Sequence, residues 1–267
     1  MLKYEALNLL RSSSAVADNG RGYTLGLFFT NWRYSPCYLS GFKKEKKKGR
    51  FLNLKFYFKM LDLRNIDCIE LMKQFEDNYF DLAIVDPPYG INMAMGHKGS
   101  EKRGDKNKYK SFSGGDNQIP NAEYFAELKR VSKNQIVWGA NYMTEHLEPT
   151  PCFIVWDKVQ PEAFSMAMCE YAWTSFKSPA KIYKKRIVNA DTIRIHPTQK
   201  PVQLYRWLLK TYAKEGDKIL DTHLGSGSIA IACEKEKFDL TGSEIDTEYY
   251  NKMMKRIETE TMQTSLF

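Results

Sequence analysis

The chain reads as an α/β fold built on a doubly wound, mostly parallel sheet, and three stretches carry that reading. Strand-like and helix-like segments alternate from about residue 60 onward, the order that builds a parallel sheet covered on both faces. The apolar run Leu82-Ala83-Ile84-Val85 stops abruptly at Asp86-Pro87-Pro88-Tyr89. A strand must end there, because each proline lacks an N–H and fixes φ. Lys218-Ile219-Leu220-Asp221 runs through the turn Thr222 to Gly227 into the apolar segment Ser228 to Cys233, and Glu244 caps the next strand-like stretch.

The elements follow in order. Asp67 is a candidate N-cap with Glu70 three residues on, the capping-box spacing, and Ile69, Met72 and Phe75 share one helical face. Residues 78–85 read as a turn and a buried strand. Pro120-Asn121 opens a helix whose apolar face is Tyr124, Phe125, Leu128 and Val131. Strands are expected at 135–139, 153–156 and 171–176. His196-Pro197-Thr198-Gln199-Lys200-Pro201 is a turn with Pro201 suited to a helix start, and that helix carries Leu204, Tyr205, Leu208, Leu209 and Tyr212 inward and ends at Gly216. The last strand is expected over 238–243.

Two segments stand apart. Residues 1–59 hold 12 Lys/Arg against 3 Asp/Glu, a net +9, whereas residues 60–267 hold 28 against 29 and carry −1. The chain's overall +8 therefore belongs to this basic leader, expected to be disordered or non-native, and the folded unit is expected over 60–267. Residues 91–119 are rich in Gly, Ser and Lys, and a loop that long is usually functional or disordered. Phosphate-contact candidates are Lys102, Arg103 and Lys108 in that loop and Lys184, Lys185 and Arg186 further on. Clustered cations of this kind suit a nucleic-acid backbone, and equally a solvated loop. The five cysteines form no Cys-x-x-Cys pair, which argues for a reducing cytoplasm and against a zinc site or disulfide scaffold. No apolar stretch approaches the length of a membrane helix.

The chemistry lies at two places. Asp86-Pro87-Pro88-Tyr89 makes a rigid shelf with an acid, exposed carbonyls and a flat ring. It suits a planar, amine-bearing substrate, whose protons the carboxylate and a proline carbonyl can accept while the tyrosine stacks on its ring. Taken alone, the tetrad is also compatible with a strand-ending turn and a buried tyrosine. The strand–glycine turn–helix at 218–233 suits a nucleoside: Gly225 and Gly227 allow close backbone approach, and Glu244 can bind both ribose hydroxyls. The third glycine of the dinucleotide fingerprint is missing, with Ile229 and Ala230 in its place, which fits a ligand without phosphate. Asp221 can meet a ligand amine. His223 reads as a packing or hydrogen-bonding residue rather than a base.

Together with Asn65-Ile66-Asp67-Cys68 and His196 to Pro201, these motifs resemble those of the Class I DNA amino-methyltransferases of the N6-adenine/N4-cytosine family. The tetrad precedes the glycine turn, the circularly permuted motif order of that family's β group. The resemblance spans about residues 61–260 and implies a Rossmann-like domain using S-adenosyl-L-methionine. It implies catalytic roles for Asp86, Pro87, Pro88 and Tyr89. It places Asp67 near the adenine of the cofactor, Lys200 at its methionine end, and Leu224, Gly225, Ser226, Gly227 and Ser228 around that end. His223 stands where the family usually has phenylalanine.

The implied reaction is methylation of the exocyclic N6 amine of a flipped-out adenine in double-stranded DNA. It proceeds by direct transfer with no metal and no covalent enzyme intermediate. Adenine is favoured over N4 of cytosine by analogy, because family members whose tetrad begins with Asp are mostly adenine enzymes. Target readout is expected from 91–119, from the short stretch 161–195, or from both. A non-catalytic nucleic-acid-binding relative is the alternative of a different class. A homodimer and a cognate restriction endonuclease are compatible partners, and a prokaryotic or phage-infected cytoplasm is the expected setting.

Overall fold

A computed structural model describes residues 61–91, 118–163, 167–186, 195–196 and 198–262. The loop candidates Lys102, Arg103 and Lys108, the segment 1–59 and most of 91–119 lie outside them.

Among the described residues, eight strands form one sheet. They are β1 (Leu61–Arg64), β2 (Leu82–Val85), β3 (Gln135–Trp138), β4 (Phe153–Asp157), β5 (Cys169–Thr174), β6 (Lys181–Lys184), β7 (Lys218–Asp221) and β8 (Asp239–Ser243), in the spatial order β1-β8-β7-β2-β3-β5-β4-β6. Every neighbouring pair is parallel except β3–β5 and β5–β4. Strand β5 alone therefore runs against the rest.

Among the described residues, five α-helices cover the sheet: α1 (Cys68–Met72), α2 (Ala122–Val131), α3 (Val202–Tyr212), α4 (Ser228–Glu236) and α5 (Thr247–Met262). The period-2 alternation of a strand decides which face each residue serves. Leu82 and Ile84 of β2 pack with apolar residues of α3, α4 and α5. Ala83 and Val85 pack with those of α1 and α2. All four β2 side chains are buried, as a central strand covered on both faces requires.

Several expectations shift in detail. Helix α1 ends at Met72, not Phe75, because Gln74 and Phe75 donate their N–H groups to Leu71 and Met72 in turn-type bonds. Helix α3 ends at Tyr212, four residues before Gly216, where a Lys214–Asp217 turn takes over. Asn121 caps α2 by accepting from Tyr124 N at 3.1 Å, as its sequence implied. Strands β1 and β6 and helix α5 had no counterpart in the sequence reading. Within 161–195, residues 169–174 and 181–184 are strands β5 and β6 of the main sheet.

The order of the sheet reverses between β7 and β2. From β2 the chain proceeds to β3 on one side, and from β7 to β8 on the other. Such a switch point opens a crevice at the carboxyl ends of the strands, where open α/β sheets bind ligands. The register Leu82↔Ile219 and Ala83↔Leu220 brings Asp221 to the end of one strand and Asp86 just past the end of its neighbour.

Candidate active site

The glycine turn begins where β7 delivers Asp221. Its carboxylate is buried and accepts from His223 N at 2.9 Å. Burial pushes its pKa up to about 8, against the opposing pull of the His223 N–H. The two glycines of the turn are needed for different reasons. Gly227 lies at φ +72°, and a Cβ there would meet Met253 Cγ of α5 at 2.5 Å. Gly225 lies at φ +51°, but a Cβ there would point into open space, its nearest neighbour being the His223 carbonyl at 3.9 Å. Gly227 is thus glycine for packing, and Gly225 leaves one wall of the crevice open.

Glu244 follows β8 and closes the other side. Its two oxygens accept from Gly225 N at 2.8 Å and Asp246 N at 2.9 Å, which leaves each oxygen a further lone pair for a diol. Burial raises its pKa. Leu224 N is tied to the Ser243 carbonyl at 2.9 Å, and Ser226 Oγ lies 3.1 Å from Ser228 Oγ. Arg256 of α5, 2% exposed, reaches Ser226 O and Ser228 Oγ, both at 2.9 Å. Sequence reasoning missed this strut, since α5 carries no motif.

Asp67 uses Oδ1 to cap α1, accepting from Ile69 N at 2.8 Å and Glu70 N at 3.1 Å. Its charge is felt at His223, whose pKa burial nonetheless drives down to about 4. A neutral His223 then continues a hydrogen-bonded chain: Tyr124 Oη to Thr222 Oγ1 at 2.7 Å and Thr222 Oγ1 to His223 Nδ1 at 2.9 Å. The histidine is thus held by hydrogen bonding within the turn.

The shelf lies one strand over. Pro87 is buried and Asp86 is partly exposed. Asp86 Oδ1 accepts from the Tyr89 hydroxyl at 2.7 Å, and Oδ2 accepts from Lys200 Nζ at 2.5 Å. Lys200 Nζ also donates to Tyr89 Oη at 3.1 Å. The ring of Tyr89 stacks on Tyr142 with centroids 5.3 Å apart and planes at 20°. Gly139, at φ +69°, admits it: a Cβ at that position would run into the Tyr89 ring. Gly139 opens the 3₁₀ turn Ala140–Tyr142 after β3.

Lys200 immediately precedes Pro201, the N-cap of α3. The sequence reading set it at the methionine end of a cofactor; its bonds here go to Asp86 and Tyr89, and it forms an ion pair with Glu170. Burial alone would lower its pKa, but Asp86 and Glu170 together raise it. Tyr142, Glu170 and Lys158 had no sequence signal, because each lies in a segment that reads only as strand or loop. Lys184, Lys185 and Arg186 sit at the β6 edge of the sheet, where Lys184 is 71% exposed. Among the described residues, no cluster of three or more His, Cys, Asp or Glu side chains is arranged to hold a metal ion, and no helix is long and apolar enough to cross a membrane.

The sequence and the fold have relatives. Residues 148–255 match the family model of the DNA methylases of the N6/N4 type. The chain is 23% identical over 236 residues to the type II methyltransferase M.HpaI of Haemophilus parainfluenzae, covering 73% of each chain. It is 24% identical over 265 residues to the type II methyltransferase M2.DpnII of Streptococcus pneumoniae, covering 81% of this chain and 97% of that one. Among solved structures, the PvuII DNA methyltransferase, cytosine-N4-specific, shares the fold with TM-score 0.50 at 12% identity, over 75% of this chain and 91% of that one. These likenesses support a DNA amino-methyltransferase of the N6-adenine/N4-cytosine type. The methyl donor of that family is S-adenosylmethionine.

Proposed function

We propose that the chain methylates the N6 amine of an adenine flipped out of double-stranded DNA, using Asp86 to Tyr89 as its catalytic shelf. One observation carries the assignment of roles: Asp86 and Asp221 tip neighbouring strands at the switch point, so the amine-binding shelf and the nucleoside pocket open into one crevice.

The pocket suits a nucleoside sulfonium without phosphate. Asp221 is a buried carboxylate within range of the Lys200 ammonium, which is itself claimed by Asp86 and Glu170. A ligand ammonium would fill that role. Glu244 would take the ribose hydroxyls, the open space at Gly225 would admit the chain linking ribose to amino acid, and Asp67 would lie toward the adenine. When bound, S-adenosylmethionine supplies an electrophilic methyl group.

The protein's part is to present a nitrogen lone pair to that methyl. Asp86 and the Pro87 carbonyl accept the two amine hydrogens, which draws the nitrogen toward sp³ geometry. Asp86 then holds the proton that the methylated nitrogen sheds. Positioning and preorganised charge supply the rate. Tyr89 stacks on the base; Tyr142, 44% exposed on its short turn, is the member of the aromatic pair that yields to or joins the incoming ring. The same shelf chemistry serves the N4 amine of cytosine, and the starting Asp of the tetrad is what favours adenine, by analogy. Sequencing DNA from cells that express the chain, with modified-base detection, tests the reading. Methylated adenines at one recurring sequence are expected; methylated cytosines, or unmodified DNA, would overturn the assignment to adenine.

A further inference from the structure

Four charged side chains alternate beneath the shelf. Lys158, just past β4, lies 2.6 Å from Glu170 Oε1 on β5. Glu170 Oε2 lies 3.1 Å from Lys200 Nζ, an ion pair lacking an aligned hydrogen bond. Lys200 Nζ lies 2.5 Å from Asp86 Oδ2. The side chains of Lys158, Glu170, Lys200 and Asp86 are 10, 23, 2 and 18% exposed, so solvent and salt screen these pairs little. Strand pairing fixes the spacing: Glu170 faces Trp156 across the β4–β5 ladder, two residues before Lys158.

Resting on the proposed function, we propose that Glu170 and Lys158 are positioning residues for methyl transfer: they hold the Lys200 ammonium in place, and it in turn aims the Asp86 carboxylate at the substrate amine. A lone ammonium at a site this buried would tend to lose its proton. Two carboxylates keep it cationic. A carboxylate as enclosed as Glu170 would tend to gain one, and burial does push it that way. Lys200 and Lys158 outweigh burial and hold it below the usual range. Lys200 and Glu170 are thus each kept charged by their neighbours. Around this row, Tyr89 is bonded to Lys200, Asp221 lies within electrostatic range of Lys200 and Asp86, and Tyr205 lies within range of Asp86, Asp221 and Glu170. Asp221 gains charge as pH rises through about 8, which favours the ammonium. Any loss of the Lys200 proton in a variant must therefore come from the missing Glu170 charge.

The test pairs two readouts on the full chain. Lysine labelled with carbon-13 at Cε, with the Lys200 signal assigned by Lys200→Arg, follows the Lys200 ionisation by NMR without needing activity. The pH dependence of kcat for methyl transfer to DNA follows its consequence. In Glu170→Gln both the Lys200 titration and the alkaline limb of kcat should move down by about one pH unit or more, with KM for S-adenosylmethionine within about twofold of wild type. Glu170→Asp should restore most of both shifts. Lys158→Met leaves Glu170 with one ammonium instead of two, so the acid limb of kcat should move to higher pH; this variant serves if Glu170→Gln fails to fold. Profiles that superimpose on wild type, or a uniform loss of kcat at every pH shared by Glu170→Asp, would overturn the proposal. So would a Lys200 shift with no change in kcat. If the wild type transfers no methyl group to DNA, the functional reading fails instead, while the Lys200 titration still decides whether the charge row exists.

Discussion

At the scale of single residues, the two carboxylates of the crevice have separable jobs in the proposed reaction. Asp86→Ala should abolish methyl transfer, a loss of at least about 10²-fold in kcat, while calorimetry still registers cofactor binding. Asp221 makes a pH prediction. Its carboxyl titrates near 8 when the pocket is free, and a ligand ammonium would favour its ionised form. At pH 6–7.5 the free protein holds that proton and the complex does not. Cofactor affinity should therefore rise with pH in this window, approaching about tenfold per unit, and level off above. Isothermal titration in buffers of differing ionisation enthalpy should show a proton released, and Asp221→Asn should show none. The glycines divide in the same way. Gly225→Val should block cofactor binding and lower Tm only through the strain of a β-branched residue at φ +51°, because its side chain would meet open space rather than a neighbour. Gly227→Val should lower Tm, because Met253 and Ile257 already occupy that volume.

At the scale of elements, the site depends on struts that no motif announces. Helix α5 holds the glycine turn through Arg256, whose bonds to Ser226 O and Ser228 Oγ are buried. Arg256→Met should loosen the turn and weaken cofactor affinity by about tenfold, about the worth of one charged hydrogen bond, which calorimetry can measure. The motif-bearing elements were legible because their residues obey local rules. Buried β2 ends at prolines, Asn121 caps α2, and β7 runs into a glycine turn. Strand β6, Lys-Ile-Tyr-Lys, was not legible: three of its four residues are exposed, so it lacks the buried alternation that identifies a strand. Strand β1 escaped because its four residues lie at the sheet edge with only β8 beside them. The site followed the same pattern. Asp86, Asp221 and Glu244 stand at strand ends and could be read off the sequence. Glu170, Lys158 and Tyr142 reach the site only through the β4–β5 ladder and the turn after β3, and such non-local pairings leave no trace in local sequence.

At the scale of the whole molecule, the folded unit described from Leu61 to Met262 is a sheet with α1 and α2 on one face and α3, α4 and α5 on the other. Its charge is near neutral, and the basic excess lies in residues 1–59. A chain beginning at Met60 should therefore fold and bind cofactor as the full chain does. Its affinity for DNA should fall only if the basic segment contributes phosphate contacts, and in that case the salt dependence of binding would fall with it. Loss of cofactor binding on truncation would contradict the assignment of the folded unit.

The central claim is that the shelf at Asp86 methylates an exocyclic amine of a DNA base with a methyl group from the pocket beside it. The most direct measurement incubates the full chain with duplex DNA and S-adenosylmethionine labelled in its methyl group, then digests the DNA to nucleosides and identifies the labelled one by mass spectrometry. Labelled N6-methyladenine from the wild type, and none from Asp86→Ala, is the expected result. Unlabelled nucleosides from the wild type, or equal labelling by Asp86→Ala, would contradict it.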